Sequence, residues 1–118
     1  MVKRKAPRSS KPKPTGRLRV GGFSLDLDRR CVVRKDGNEQ RLTPKQCALL
    51  YTFINRGGQV LTRRFLMKEI WETDYLGDTR TLDVHVRWLR EKIEEEPSQP
   101  VYLRTVRGVG YRFEAPKR

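Results

Sequence analysis

Residues 79–95 read TRTLDVHVRWLREKIEE, and the reading of this stretch decides the fold. Leu82, Val86, Leu89 and Ile93 recur at intervals of four, three and four. At 3.6 residues per turn they fall on one stripe of an α-helix. The other faces hold Arg80, Arg87, Arg90 and Lys92, with Thr81, His85 and Trp88 among them. The stripe suits burial. The opposite side presents positive charge, hydrogen-bond donors and one large ring. The stretch makes a rod about 25 Å long at 1.5 Å per residue. Such a rod fits the major groove of DNA, about 12 Å wide. The spacing therefore predicts a recognition helix, with the rest of the chain as its holder.

The bulk properties agree. The chain has 118 residues, enough for one domain and not two. Its formal charge is +13 and its pI about 10.4. That balance favours polyanionic partners, nucleic acid or an anionic membrane surface. No apolar run approaches the roughly 20 residues a membrane span needs, and the charged start is followed by proline and serine, unlike a signal peptide. Cys31 and Cys47 are the only cysteines, each among apolar or β-type neighbours, and read as buried reduced thiols of a cytosolic protein. Two cysteines and one histidine without close spacing make no metal pattern, and no cofactor is expected.

Outward from the helix, the chain falls into ordered pieces. Residues 1–16 are expected to be a flexible, proline-rich basic arm or linker, and residues 17–118 the folded domain. The first 17 residues hold seven basic side chains, three prolines and no acid. Without those seven charges the remaining chain still carries +6. Between Leu18 and Thr43 the period changes to two. Phe23, Leu25 and Leu27 alternate with Ser24, Asp26 and Asp28, and Asp36-Gly37 signals a hairpin turn. About four short antiparallel strands are expected, with Asp26 and Asp28 on the solvent face. Thr43-Pro44 starts a helix to about Arg56, stopped by Gly57-Gly58. Residues 59–61 are extended. Thr62 caps a second helix, from Arg63 to about Trp71, with Trp71 as a core or helix-end anchor.

Residues 72–78 (Glu72, Thr73, Asp74, Tyr75, Leu76, Gly77, Asp78) form a connector longer than the turn of a plain helix-turn-helix. It reads as a spacer or a docking loop. After the long helix, Pro97 and Pro100 prevent its continuation. Residues 101–106 and 111–114 then read as a hairpin around Arg107-Gly108-Val109-Gly110. Arg104, Arg107 and Arg112 make this hairpin basic. A basic hairpin beside a basic helix reads as a wing that lies along phosphates or puts Arg107 into a minor groove.

The order of elements, the strings RTLDVHVRWLREKIE (80–94) and RTVRGVGYRF (104–113), LTP at 42–44 and the Ile70-Trp71 pair together resemble the C-terminal effector domain of OmpR/PhoB-type bacterial response regulators. The resemblance covers about Leu18 to Phe113. It implies an α+β fold: a winged helix-turn-helix with an N-terminal four-stranded antiparallel sheet, three helices and a C-terminal hairpin wing. It also implies a sequence-specific, double-stranded DNA-binding transcription regulator of a two-component system. In that family a receiver domain, phosphorylated by a sensor kinase, precedes this one. Dimers form on direct-repeat sites, free domains being monomers, and the loop matching residues 72–78 is associated with RNA polymerase. The setting would be the bacterial cytoplasm, at the nucleoid when bound.

By the same resemblance, Arg80, Thr81, His85, Arg87 and Arg90 match positions that contact phosphates or groove walls. Asp83 matches one able to accept from a base edge. Arg107 matches the minor-groove arginine of the wing, Thr105 and Tyr111 match backbone-contacting positions, and Trp71 a helix-end residue near a phosphate. Two departures stand out. Trp88 replaces a base-reading arginine of one branch, and an indole offers one N–H and apolar area suited to a thymine methyl. No receiver domain is present, so the chain reads as a C-terminal domain cut from a longer regulator, with its linker.

Other classes fit less well. A protein-interaction module would use the Tyr75-Leu76 loop and the meander, but needs no guanidinium groups on both helix and wing. An RNA binder would show aromatic side chains on a sheet for stacking bases. An enzyme would need a partner for His85, the sole histidine, which lies among arginines. No glycine-rich phosphate loop with lysine is present.

Overall fold

The structure is a computed structural model that describes residues 15–73 and 80–115. Two sheets flank three helices. β1 (Arg17–Val20), β2 (Phe23–Asp26), β3 (Cys31–Arg34) and β4 (Glu39–Arg41) form an antiparallel meander in sequence order. Then come α1 (Pro44–Asn55), β5 (Val60–Thr62), α2 (Arg63–Trp71), α3 (Arg80–Ile93), β6 (Leu103–Val106) and β7 (Gly110–Phe113). The second sheet has the order β5-β7-β6, so the wing is extended by the strand between α1 and α2. Leu61 opposes Tyr111, and Thr105 opposes Tyr111 from the other side.

Local chemistry explains the boundaries. Thr43 Oγ1 accepts the N–H of Gln46 at 3.2 Å, and Gln46 Oε1 accepts the N–H of Thr43 at 3.0 Å. This reciprocal pair satisfies two helix-end donors, and Pro44 needs none. Thr62 caps α2 through Phe65 N–H at 3.0 Å. At the other end of α2, Glu72 takes a left-handed conformation (φ 57°). Lys45 Nζ, from the first turn of α1, donates to the Ile70 carbonyl at 2.9 Å and so ties the two helices.

The core is one cluster shared by every layer. Leu25 and Val32 enter from the meander, Leu50 and Phe53 from α1, Leu66 from α2, and Leu103 and Phe113 from the wing. The stripe Leu82, Val86, Leu89 and Ile93 is buried, as the periodicity predicts. Fully burying such side chains is worth about 1.5–3 kcal/mol each. The thiols of Cys31 and Cys47 are buried and free, and burial pushes the Cys47 thiol up. No helix among the described residues is long and apolar enough to cross a membrane.

Two expectations are corrected. Asp26 does not face solvent; it is buried at the end of β2. Its Oδ1 accepts the N–H of Arg29 at 3.1 Å and its Oδ2 lies 3.4 Å from Arg17 Nη2. A carboxylate is tolerated there because the tight β2–β3 turn and the first residue of β1 supply its donors. The first strand of the wing starts at Leu103 instead of residue 101, because Val101 and Tyr102 are bent towards α3. The cause is Glu94, just past α3, which is buried and accepts the N–H groups of Val101, Tyr102 and Leu103 at 2.7, 3.0 and 2.9 Å.

Candidate nucleic-acid interface

The interface is built on α3. Its buried stripe fixes which side chains look outward: Arg80, Thr81, Val84, Arg87 and Trp88 are exposed, while Asp83, His85 and Arg90 are half-buried. Arg80, Thr81, Val84, His85 and Trp88 line one shallow hollow on this face. Among the described residues, Arg87 makes no side-chain hydrogen bond or ion pair, so its guanidinium is available to a polyanion.

An aromatic row runs beside these cations. The His85 ring meets Trp71 edge-on with centroids 5.0 Å apart, and lies 5.3 Å from Trp88. Trp71 is half-buried against the core, matching its expected role as an anchor at the end of α2. Trp88 is 42% exposed. His85 Nδ1 lies 2.9 Å from the Thr81 carbonyl. A carbonyl only accepts, so Nδ1 carries a proton and donates to it.

The wing adds further arginines. Arg107 sits exposed in the turn, beside Gly108 at φ 75°, a left-handed value that favours glycine. Among the described residues its side chain has no partner. Arg104 and Arg112 are less available: each pairs with Glu114, at 3.9 and 2.9 Å.

Four of the sequence-predicted residues, Asp83, Arg90, Thr105 and Tyr111, are tied up within the protein. Arg90 donates through Nε to the Leu103 carbonyl at 3.0 Å and through Nη2 to Thr105 Oγ1 at 2.9 Å. Tyr111 is buried, and its hydroxyl donates to Asp83 Oδ1 at 2.5 Å. The Arg63 guanidinium pairs with the same oxygen. Burial, and then the hydrogen bond to Asp83, push the Tyr111 hydroxyl up, while the Asp83 hydrogen bond pushes the Arg63 guanidinium up. Arg63 was not anticipated from sequence. Nothing local distinguishes it from Arg64; only the packing of α2 against α3 aims it at Asp83. Of the connector, Glu72 and Thr73 are described; Asp74, Tyr75, Leu76, Gly77 and Asp78 lie outside the described residues, as does most of the basic arm.

A three-helix core with the last helix presented beside a hairpin wing, and a four-stranded meander in front, defines a winged-helix DNA-binding domain. The chain belongs to the family described as transcriptional regulatory protein, C terminal, whose model matches residues 37–113. It is an effector domain of the OmpR/PhoB class. That family is a class of transcription regulator and not of enzyme.

Relatives place it further. A probable transcriptional regulatory protein of Picosynechococcus is 53% identical over 83 residues, 70% of this chain and 33% of that protein. The alkaline phosphatase synthesis transcriptional regulatory protein SphR of Synechococcus elongatus is 48% identical over 96 residues, 81% of this chain and 37% of SphR. The chain thus spans about a third of the length of these curated relatives. Among solved structures, the response regulator DrrB of Thermotoga maritima, an OmpR/PhoB homolog, superposes with a TM-score of 0.74 at 30% identity, over 85% of this chain and 45% of DrrB. The Klebsiella pneumoniae RstA DNA-binding domain, solved in complex with the RstA box, gives 0.73 at 28% identity, over 83% of this chain and 96% of that domain.

Proposed function

We propose that α3 lies in the major groove of a specific duplex while the wing places Arg107 against the adjacent minor groove. The observation that carries this reading is a pair of exposed, unpaired cations on two elements that are joined to each other. Arg87 on α3 and Arg107 on the wing are both exposed, lack protein partners among the described residues, and belong to elements bound to each other through Arg90. A guanidinium left unpaired at a surface is a phosphate or groove donor in waiting.

The roles divide between position and sequence. Arg80, Thr81, His85 and Arg87 fix register on phosphates and groove walls, and Trp88 offers its ring edge to a thymine methyl. Trp71 and Thr105 border the backbone. As in a response regulator, a receiver domain would be joined N-terminally through residues 1–16 and answer to a sensor kinase. Two copies would pair on a direct repeat, in the cytoplasm, with residues 72–78 turned towards RNA polymerase. The similarity to DrrB and SphR supports this wider frame.

The test is the salt dependence of binding to the preferred duplex, for the chain and for Arg107→Ala. Each neutralised phosphate contributes about −0.9 to the log-log slope. A slope that Arg107→Ala leaves unchanged, together with unchanged affinity, removes the wing from the interface.

A further inference from the structure

Asp83 stands at the junction of four elements. It projects from α3, and its Oδ1 takes both the Arg63 guanidinium, from the first turn of α2, and the Tyr111 hydroxyl, from β7. The Arg63 guanidinium also lies over the Tyr111 ring, 5.2 Å from its centroid, and Arg90 approaches the same ring at 5.8 Å. Arg90 continues the chain to β6 through the Leu103 carbonyl and Thr105 Oγ1. The sequence places Asp83 among base readers, yet the carboxylate is already matched by one cation and one hydroxyl. Both donors fall on Oδ1, so a cytosine amino group could meet only Oδ2, on a carboxylate already held by Arg63 and Tyr111.

We propose that Asp83 is a positioning residue of the DNA interface: held by Arg63 and Tyr111, it sets the wing against the recognition helix and reads no base itself. The proposal rests on the DNA-binding reading above. Arg63, Tyr111 and Arg90 then form a clamp whose output is the distance between the two groove-facing elements. An error of an ångström there would misplace Arg107 relative to Arg87 on a rigid duplex.

The test uses the 118-residue chain with Asp83→Ala, Asp83→Asn, Tyr111→Phe and the Asp83→Ala/Tyr111→Phe pair. Each variant is passed through selection from a random duplex pool and its affinity for the wild-type winner measured. Amide exchange over residues 103–113 is recorded without DNA. Val32→Ala, in the meander core, serves as a control of lowered stability remote from the clamp. The clamp predicts that Asp83→Ala and Tyr111→Phe each weaken binding roughly tenfold, the loss of one charge-assisted hydrogen bond. It predicts that the pair is no worse than Asp83→Ala alone and that the selected sequence is unchanged throughout. Wing amides exchange faster in both single variants but not in Val32→Ala, and Asp83→Asn, which keeps an acceptor, recovers part of the loss.

The proposal is overturned if Asp83→Asn changes the base chosen at one position while Tyr111→Phe behaves as wild type, or if the two losses multiply. It is also overturned if Val32→Ala loosens the wing as much as the clamp variants do. A wild-type chain that selects no duplex removes the DNA reading itself, and the exchange data taken without DNA still decide whether Asp83 holds the wing.

Discussion

Glu94 Oε2 accepts the backbone N–H of Tyr102 at 3.0 Å, and this contact fastens the start of the wing to the end of the recognition helix. The same carboxylate also takes Val101 and Leu103, so three consecutive backbone donors converge on one buried acid. Behind it, Arg34 from β3 donates to the Lys92 carbonyl at 2.8 Å, which satisfies an orphan acceptor at the C-terminus of α3. Tyr102 in turn accepts the N–H of Gly22 at 2.7 Å through its hydroxyl and meets Phe23 edge-on at 5.1 Å. The meander is thereby a brace for helix and wing together.

Glu94→Gln is therefore expected to destabilise the domain by about 3 kcal/mol. The amide keeps one acceptor but points an NH2 group at backbone N–H groups, leaving buried donors unmatched. Urea unfolding of the two proteins measures it. A loss under about 0.5 kcal/mol, the usual size for a surface change, would mean that the carboxylate matters little.

Gly110→Ala tests the join between wing and helical core. A Cβ at residue 110 would run into the Leu61 carbonyl and stand 3.0 Å from Thr62 Cα, both backbone atoms of β5 that cannot swing aside. We expect a loss of about 3 kcal/mol or more, with β5–β7 pairing opened. Thermal melting and backbone amide shifts of residues 60–62 report it, and near-wild-type values for both would contradict the close approach.

Asp26 gives the domain an acid-sensitive contact. The Arg29 N–H, and then the Arg17 guanidinium, hold its carboxyl below the usual value in spite of the opposing effect of burial. A lowered folded-state value means stability that is present above the ordinary carboxylate range and lost as pH falls through the folded value. Asp26→Asn should thus narrow its stability gap to wild type as pH drops from 6 to about 3. A gap that is constant over that window would show that the charge of Asp26 contributes nothing.

On the groove face, two adjacent residues should separate. Arg87→Ala is expected to weaken binding to all duplexes and to reduce the salt slope by about 0.9. Trp88→Ala is expected to change which duplex is preferred, at a cost of about 1–3 kcal/mol on the original site. Parallel selections with the two variants check this, and uniform loss for both would remove Trp88 from base reading.

Much of the fold could be read from the chain because it is written in local periods. The interval of four, three and four in residues 82–93 puts a stripe on a helix, and Phe23, Leu25 and Leu27 alternate because a strand does. Thr43-Pro44 and Gly57-Gly58 mark ends through backbone chemistry alone. What stayed hidden depends on pairs distant in sequence. Nothing in VLT at 60–62 names β7 as its partner, and Arg63 meets Asp83 only after α2 and α3 have packed. Asp26 reads as a solvent-facing acid, and nothing in the sequence marks Glu94 as buried, because backbone N–H groups are among the donors of the one and supply those of the other, and no side-chain pattern records them. The resemblance assigns Asp83, Arg90 and Tyr111 to DNA contacts, whereas much of their hydrogen-bonding capacity is spent inside the protein.

The most direct test of the central claim is selection of bound duplexes from a random pool by the chain itself, followed by affinity against salt for the winner. The account predicts convergence on two direct-repeat half-sites about one helical turn apart, 10–10.5 base pairs, with a steep salt slope. Salt-sensitive binding with no sequence enriched would contradict it, and would leave α3 and the wing as a non-specific basic surface.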